Sequence, residues 1–124
     1  MPKLTLTVRK AYGGSYLGMC SKDLGADFVF CWPSTELAVM GAEGAAPIIF
    51  RKELEKADNP QELLQQKIRE YREEFANPYL AAANLHIDDV IDPAETRPTL
   101  IEALEMIMDK IEARPEKKHG IIPT

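Results

Sequence analysis

The sequence predicts an α/β fold, and three observations carry that prediction. Residues 3–9 alternate Leu4, Leu6 and Val8 with Thr5 and Thr7, the period of a strand, and residues 27–32 form a short apolar run. Residues 60–76 and 93–112 repeat their apolar positions with the period of a helix. Glycine-rich breaks at Gly13-Gly14 and at Gly41–Gly44 separate strand patterns from helical ones. Strands alternating with helices indicate an α/β arrangement.

In chain order, the strand at 3–9 runs into Lys10–Ser15, which reads as a tight turn. Residues 15–24 read as a short helix of small residues ended by Gly25. Asp27–Trp32 is apolar almost throughout, which predicts a strand covered on both faces. Trp32-Pro33-Ser34-Thr35 breaks it, and Glu36–Met40 reads as a further strand. Ala45–Phe50 reads as a helix. Because proline is tolerated only in the first turn, Pro47 places its start near Ala46. Residues 51–59 are charged. Asp58 or Asn59 can cap the next helix, with Pro60 at its first position. Leu64, Ile68, Tyr71 and Phe75 lie on one face of that helix. Asn77-Pro78 stops it, and an Ala-rich helix is expected over 79–85. Residues 87–91 read as a short strand or turn. Asp92-Pro93 can open the last helix, with Leu100, Leu104, Ile107, Met108 and Ile111 along its apolar face. The expected division is a partial domain at 1–113 and a tail at 114–124, which has two prolines and no helical period. Three short strands are few for a complete sheet, so part of the sheet is expected to lie elsewhere.

Composition narrows the function classes. The 124 residues carry 15 basic and 20 acidic side chains, a net charge of −5, which argues against a general nucleic-acid binder. Hydrophobic residues at 45% and charged residues at 28% suit a globular domain. No apolar run reaches the ~18 residues of a membrane span, and the N-terminus lacks a signal-peptide pattern. A cytoplasmic protein is therefore expected. Cys20 and Cys31 are expected to be reduced buried thiols. Together with His86 and His119 they show no metal-ligand spacing, so no metal is expected.

Tyr12-Gly13-Gly14-Ser15 is the leading candidate for chemistry. A Gly-Gly pair between strand and helix lets the backbone approach a ligand, and the N–H groups of the following turn point outward. Such donors can serve as an oxyanion hole. The plainer alternative is a strand-to-helix turn. Gly41-Ala42-Glu43-Gly44 is a second junction of the same kind, where Glu43 could cap a helix or act as a base. Asp88 and Asp89 are adjacent, so on a strand they face opposite ways and do not form a carboxylate pair. Lys117-Lys118-His119 is a small basic patch, read either as solvated charge or as a dock for an anion or a neighbouring subunit.

Read together, these segments resemble a known family. Arg9-Lys10-Ala11-Tyr12-Gly13-Gly14-Ser15-Tyr16 resembles the RKAYGGAY signature of biotin-dependent acyl-CoA carboxyltransferases. Leu24–Asp27, Trp32-Pro33, Glu36–Gly41 and Glu43-Gly44-Ala45 follow the same pattern. So do Glu74–Tyr79, Asp88–Pro93, Thr96-Arg97, Arg114-Pro115, Lys117–Gly120 and Ile122-Pro123. The likeness covers essentially the whole chain in order. It points to the propionyl-CoA carboxylase β subunit and the methylmalonyl-CoA decarboxylase α subunit.

The resemblance implies a crotonase-like β-β-α superhelix, here the later part of a second carboxyltransferase domain. It implies transfer of a carboxyl group between biotin, held on a separate carrier protein, and an acyl-CoA such as propionyl-CoA or methylmalonyl-CoA. Backbone N–H groups of Gly14 and Ser15 would stabilise the ureido oxygen. Ser15 stands where the family often has Ala, a change that leaves a backbone donor in place. Tyr12, Gly13, Tyr16, Leu17, Gly41, Glu43 and Gly44 would surround the substrates, with Leu17 beside the acyl pocket and favouring propionyl-sized groups. The hole for the thioester enolate would lie in the other domain. The resemblance further implies head-to-tail pairing of subunits, a hexameric assembly, and docking to a membrane subunit where decarboxylation drives sodium transport. A remnant or assembly module that packs against full-length subunits is the alternative.

Overall fold

In the computed structural model, which describes residues 1–113 with Glu116, Lys118 and Gly120, Leu4–Thr7 forms β1 and pairs in parallel with β3, Phe28–Cys31. Strand β3 also pairs in parallel with β5, Asp89–Val90, so this sheet runs β1-β3-β5. A second parallel sheet joins β2, Lys10–Tyr12, to β4, Glu36–Ala38. The expectation of three strands is thus corrected to five, in two sheets, among the described residues. Lys10–Tyr12 is not the tight turn its local sequence suggested. Its pairing with β4 buries Ala11, and that partner lies far off in sequence.

Strand β3 is covered on both faces, as its composition requires. Val29 and Cys31 pack with Ala11, Leu37, Ala81 and Ile87. Phe28 and Phe30 face the other way, toward Ile91, Leu100 and Ala103. Helix α6, Thr96–Ile107, covers this second face, and the Trp32 indole N–H donates to Thr96 Oγ1 at 2.9 Å. A 3₁₀ turn at Pro93–Glu95 precedes α6, capped by Asp92, whose carboxylate accepts from the Ala94 N–H. The last helix is therefore shorter at both ends than the 93–112 expected.

The helix expected at 15–24 divides into α1, Gly14–Gly18, and a 3₁₀ turn at Lys22–Leu24. Cys20 interrupts it at φ 70°, a left-handed conformation uncommon for a residue with a side chain. Helix α2 spans Ala42–Ile49 rather than starting near Ala46, and so holds Pro47 in its interior. The helix begins early because Ala42 and Ala46 are both fully buried against Ile68. That packing outweighs the backbone hydrogen bond that Pro47 cannot donate. Within the charged segment lies a further turn of helix, α3, Arg51–Leu54.

Helix α4, Pro60–Phe75, follows the expected bounds. Asn59 is its cap, accepting from Glu62 N–H at 3.4 Å, and Pro60 sits in the first turn, where no donor is needed. Ile68 is buried, Leu64 and Tyr71 pack around it, and Phe75 remains half exposed. Asn77 caps α5, Pro78–Ala83, accepting from the Leu80 N–H at 3.0 Å. The expected tail lies mostly outside the described residues. No helix among the described residues is long and apolar enough to cross a membrane.

Candidate functional site

The two glycine junctions sit side by side because their strands are neighbours. Both β2 and β4 run in the same direction, and each passes from its carboxyl end through a glycine into a helix. Open parallel sheets bind ligands outside these carboxyl ends.

Gly13 makes the first junction. It adopts φ 48° and ψ −123°, and its N–H donates to Ala38 O at 3.0 Å. A Cβ there would lie 2.8 Å from the Val39 carbonyl oxygen. Only glycine fits, on both conformational and steric grounds. Ser15 braces the turn. Its hydroxyl donates to Tyr12 O at 2.8 Å and accepts from Tyr12 N–H at 3.2 Å. The hydroxyl is thus engaged within the turn. Gly14 and Ser15 are exposed and occupy the first turn of α1, where N–H groups have no intrahelical acceptor.

Beside this turn lies an apolar cleft of ≈ 460 Å³ between the second sheet and helices α1, α4 and α5. Gly13, Tyr16, Leu17, Val39, Phe75 and Leu80 are among its walls. Leu17, Val39, Phe75 and Leu80 are exposed there, and Asp23, Asn84 and His86 add polar groups to the lining. Tyr16 is fixed by its hydroxyl, which donates to His86 O at 3.0 Å, and burial raises its pKa.

Tyr12 points to the opposite face of β2. Its ring packs on Gly41, where an added Cβ would lie 3.2 Å from the ring, and its hydroxyl donates to the Glu36 carboxylate. Burial first, and Glu36 second, push the phenol up to about 12. Arg72 of α4 reaches both carboxylates at this face. Its Nε lies 3.5 Å from Glu36 Oε2 and its Nη2 lies 2.5 Å from Glu43 Oε1. Glu43 is held below the usual carboxylate range, chiefly by its own backbone N–H at the start of α2 and also by Arg72. Gly44 lies against the Met40 side chain.

The structure therefore brings Gly13, Tyr16 and Leu17 to the cleft and Gly14 and Ser15 to its exposed border. It places Tyr12, Gly41 and Glu43 in a polar network behind the sheet. Glu36 and Arg72 are not among the expected site residues; Glu36 opens the Glu36–Gly41 segment that carries part of the resemblance, whereas Arg72 lies in no recognisable motif. Cys31 is fully buried, which pushes its thiol up to about 11, and Cys20 is half buried, both unpaired with other cysteines. Among the described residues no group of three or more His, Cys, Asp or Glu is placed to hold a metal ion.

A strand–Gly-Gly–helix turn thus opens beside an apolar cleft, and comparison with known proteins gives the family of the chain. The chain matches the carboxyl transferase domain over residues 1–122, and it belongs to that family. It is 58% identical over 123 residues to the methylmalonyl-CoA carboxyltransferase 12S subunit of Propionibacterium freudenreichii subsp. shermanii. It is 53% identical to the methylmalonyl-CoA decarboxylase subunit alpha of Propionigenium modestum. Each alignment covers 99% of this chain and 24% of the relative, so the chain spans about a quarter of their length. A more distant relative, 45% identical, is the biotin-dependent acetyl-/propionyl-coenzyme A carboxylase beta5 subunit of Mycobacterium leprae.

Among solved structures, a transcarboxylase 12S hexamer with methylmalonyl-coenzyme A and methylmalonic acid bound superposes with a TM-score of 0.90. That match has 58% identity and covers 100% of this chain and 24% of that one. The β subunit of Pseudomonas aeruginosa geranyl-CoA carboxylase superposes with a TM-score of 0.72 at 31% identity. The α/β arrangement is thus that of carboxyltransferase structures.

Proposed function

We propose that this chain is the biotin-facing part of a carboxyltransferase that moves a carboxyl group between biotin and propionyl-CoA or methylmalonyl-CoA. The observation that carries the reading is the Gly13 turn, which opens α1 with the exposed Gly14 and Ser15 beside an apolar cleft in a chain of this family. In this reading residues 1–113 are the later part of a second, crotonase-like superhelical domain, and residues 114–124 are its tail.

The residues fit a biotin ring. An uncharged bicycle with an aliphatic arm suits walls built from Leu17, Val39, Phe75 and Leu80, and the cleft has the size of a small-molecule site. When bound, biotin on its carrier protein supplies the carboxyl group as an N-carboxylated ureido ring. The Gly14 and Ser15 N–H groups would hold the ureido oxygen of the ring and would stabilise negative charge on it. Donors fixed in advance and aimed at developing charge need no acid or base of their own. Gly13 lets the turn approach the ring, and Tyr16 and Leu17 shape the neighbouring wall. Leu17, an apolar side chain at that border, favours propionyl-sized acyl groups. Gly41, Glu43 and Gly44 form the adjoining junction.

The thioester enolate calls for a second set of donors, which this reading assigns to another domain of a larger assembly with the hexameric organisation of the transcarboxylase. The reading requires no metal. It places the chain in the cytoplasm, docked to a membrane subunit where the reaction runs as a decarboxylation.

Titration of the 124-residue chain with biotin methyl ester, followed by amide NMR, tests the proposal. The Gly13, Gly14 and Ser15 resonances are expected to shift. Gly14→Pro removes one donor at a first-turn position where proline is tolerated, and should abolish the response, whereas Gly14→Ala should keep it. In a complete enzyme the loss of that donor should slow transfer by about 10²–10³-fold. A dispersed spectrum that does not respond to biotin would overturn the assignment.

A further inference from the structure

The polar network behind the second sheet has no place in the donor chemistry, yet its geometry ties the two glycine junctions together. Tyr12 immediately precedes the Gly13–Ser15 turn. Along β2 its side chain faces away from Ala11 and the cleft, so it touches no substrate bound there. Its ring lies on Gly41, the residue that opens α2. Its hydroxyl ends on Glu36 of the paired strand β4. Glu36 is only about one-fifth exposed, and Arg72 of α4 stands beside it. Arg72 in turn holds Glu43 at the start of α2. Lys10 closes the arrangement on the open side, with its ammonium 5.9 Å from the Tyr12 ring centre.

The arrangement fixes Tyr12 at every end. The ring packs where a side chain at Gly41 would stand, and the hydroxyl cannot leave Glu36 without losing a charge-assisted hydrogen bond. Two carboxylates, Glu36 and Glu43, share one guanidinium. Without Arg72 they would repel each other across the junction. The backbone N–H and C=O of Tyr12 are the groups that Ser15 Oγ grips. Movement of Tyr12 is therefore transmitted directly into the donor turn.

We infer that Glu36 and Arg72 are positioning residues that act through Tyr12 to hold the Gly13–Ser15 donors in register with the Gly41 junction. The inference rests on the function proposed above only for what the turn binds. The coupling itself is a property of the free chain.

The test uses Tyr12→Phe, which keeps the ring and deletes one oxygen, and Glu36→Gln, which keeps an acceptor oxygen and removes the charge that faces Arg72. The first readout is ligand-free hydrogen exchange at the Gly13 amide, which is bonded to Ala38 O, with the shifts of Gly14 and Ser15. Each variant should speed Gly13 exchange by roughly tenfold or more, the scale of one hydrogen bond to a charged group, while β3 amides keep their protection. The double variant should do no more than the stronger single one, as for residues acting in one network. The second readout is biotin methyl ester binding, expected to weaken by a similar factor in variants whose fold is intact.

Unchanged Gly13 exchange and Gly14 and Ser15 shifts, with perturbation confined to α2 and α4, would overturn the inference and leave the network a fastener between helices. If the unsubstituted chain ignores biotin, the proposed function fails, but the exchange measurement still decides the coupling.

Discussion

Gly13 combines a positive φ with a carbonyl oxygen 2.8 Å from where its Cβ would stand, whereas Gly14 has no atom within 4 Å of that position. Two adjacent glycines therefore do different work. Gly13→Ala must either leave its backbone region or push the Val39 carbonyl aside, and should destabilise the chain by about 2–3 kcal/mol. Gly14→Ala gains helix propensity in open space and should be neutral or stabilising by about 0.5 kcal/mol. Urea denaturation of the two variants distinguishes them. Equal midpoints would mean that the turn is not held in the strained form seen here. The Gly-Gly pair was legible as a close-approach site because few other sequences permit such a turn. Which of the two glycines carries the constraint was not legible, since it depends on Val39, just past the paired strand β4.

At the scale of elements, local rules succeeded where an element is made by its own residues. The apolar spacing through Leu64, Ile68 and Tyr71 and the Asn59-Pro60 start define α4 without reference to anything distant. Local rules failed where a partner decides. Lys10–Tyr12 is a strand because Glu36–Ala38 lies beside it, and α2 starts at Ala42 because Ile68 buries that residue. Arg72 was invisible as a site residue for the same reason. Its meaning arises only when α4 brings it to Glu43, 29 residues away. Caps belong to the legible class, and their geometry ranks them. Asn77 accepts from Leu80 N–H at 3.0 Å, while Asn59 accepts from Glu62 N–H at a looser 3.4 Å. Asn77→Ala should cost about 1 kcal/mol, the usual worth of a cap, and Asn59→Ala less. Thermal unfolding of the two variants checks the order, and a larger loss from Asn59→Ala would contradict it.

The whole molecule has an unusual distribution of apolar side chains. Its buried core is mostly alanine, and its larger members are Val29, Phe30, Leu37, Ile68, Ile87 and Ile91. Many side chains of equal size stay in solvent, among them Val39 at 88%, Leu85 at 79% and Met19 at 75% exposure. They are not scattered evenly. Leu17, Val39, Phe75 and Leu80 cluster at the cleft, and Ile101 and Leu104 line a groove between α6 and Leu4. Exposed apolar surface gathered into patches marks a place where something else binds, and single exposed residues do not. The chain aligns with a quarter of its relatives' length, and under the function proposed above such patches are where the rest of an assembly would pack. Two consequences follow for the chain in solution. It should bind a hydrophobic dye in its folded state, and its sedimentation should show association that grows with concentration. Replacing Val39 and Phe75 together by Ser should weaken both effects, because it removes two walls of the cleft patch at positions that contribute little to the core. A folded monomer that binds no dye at any concentration would show that these side chains find cover within the chain itself, and the case for an assembly surface at the cleft would fall with it.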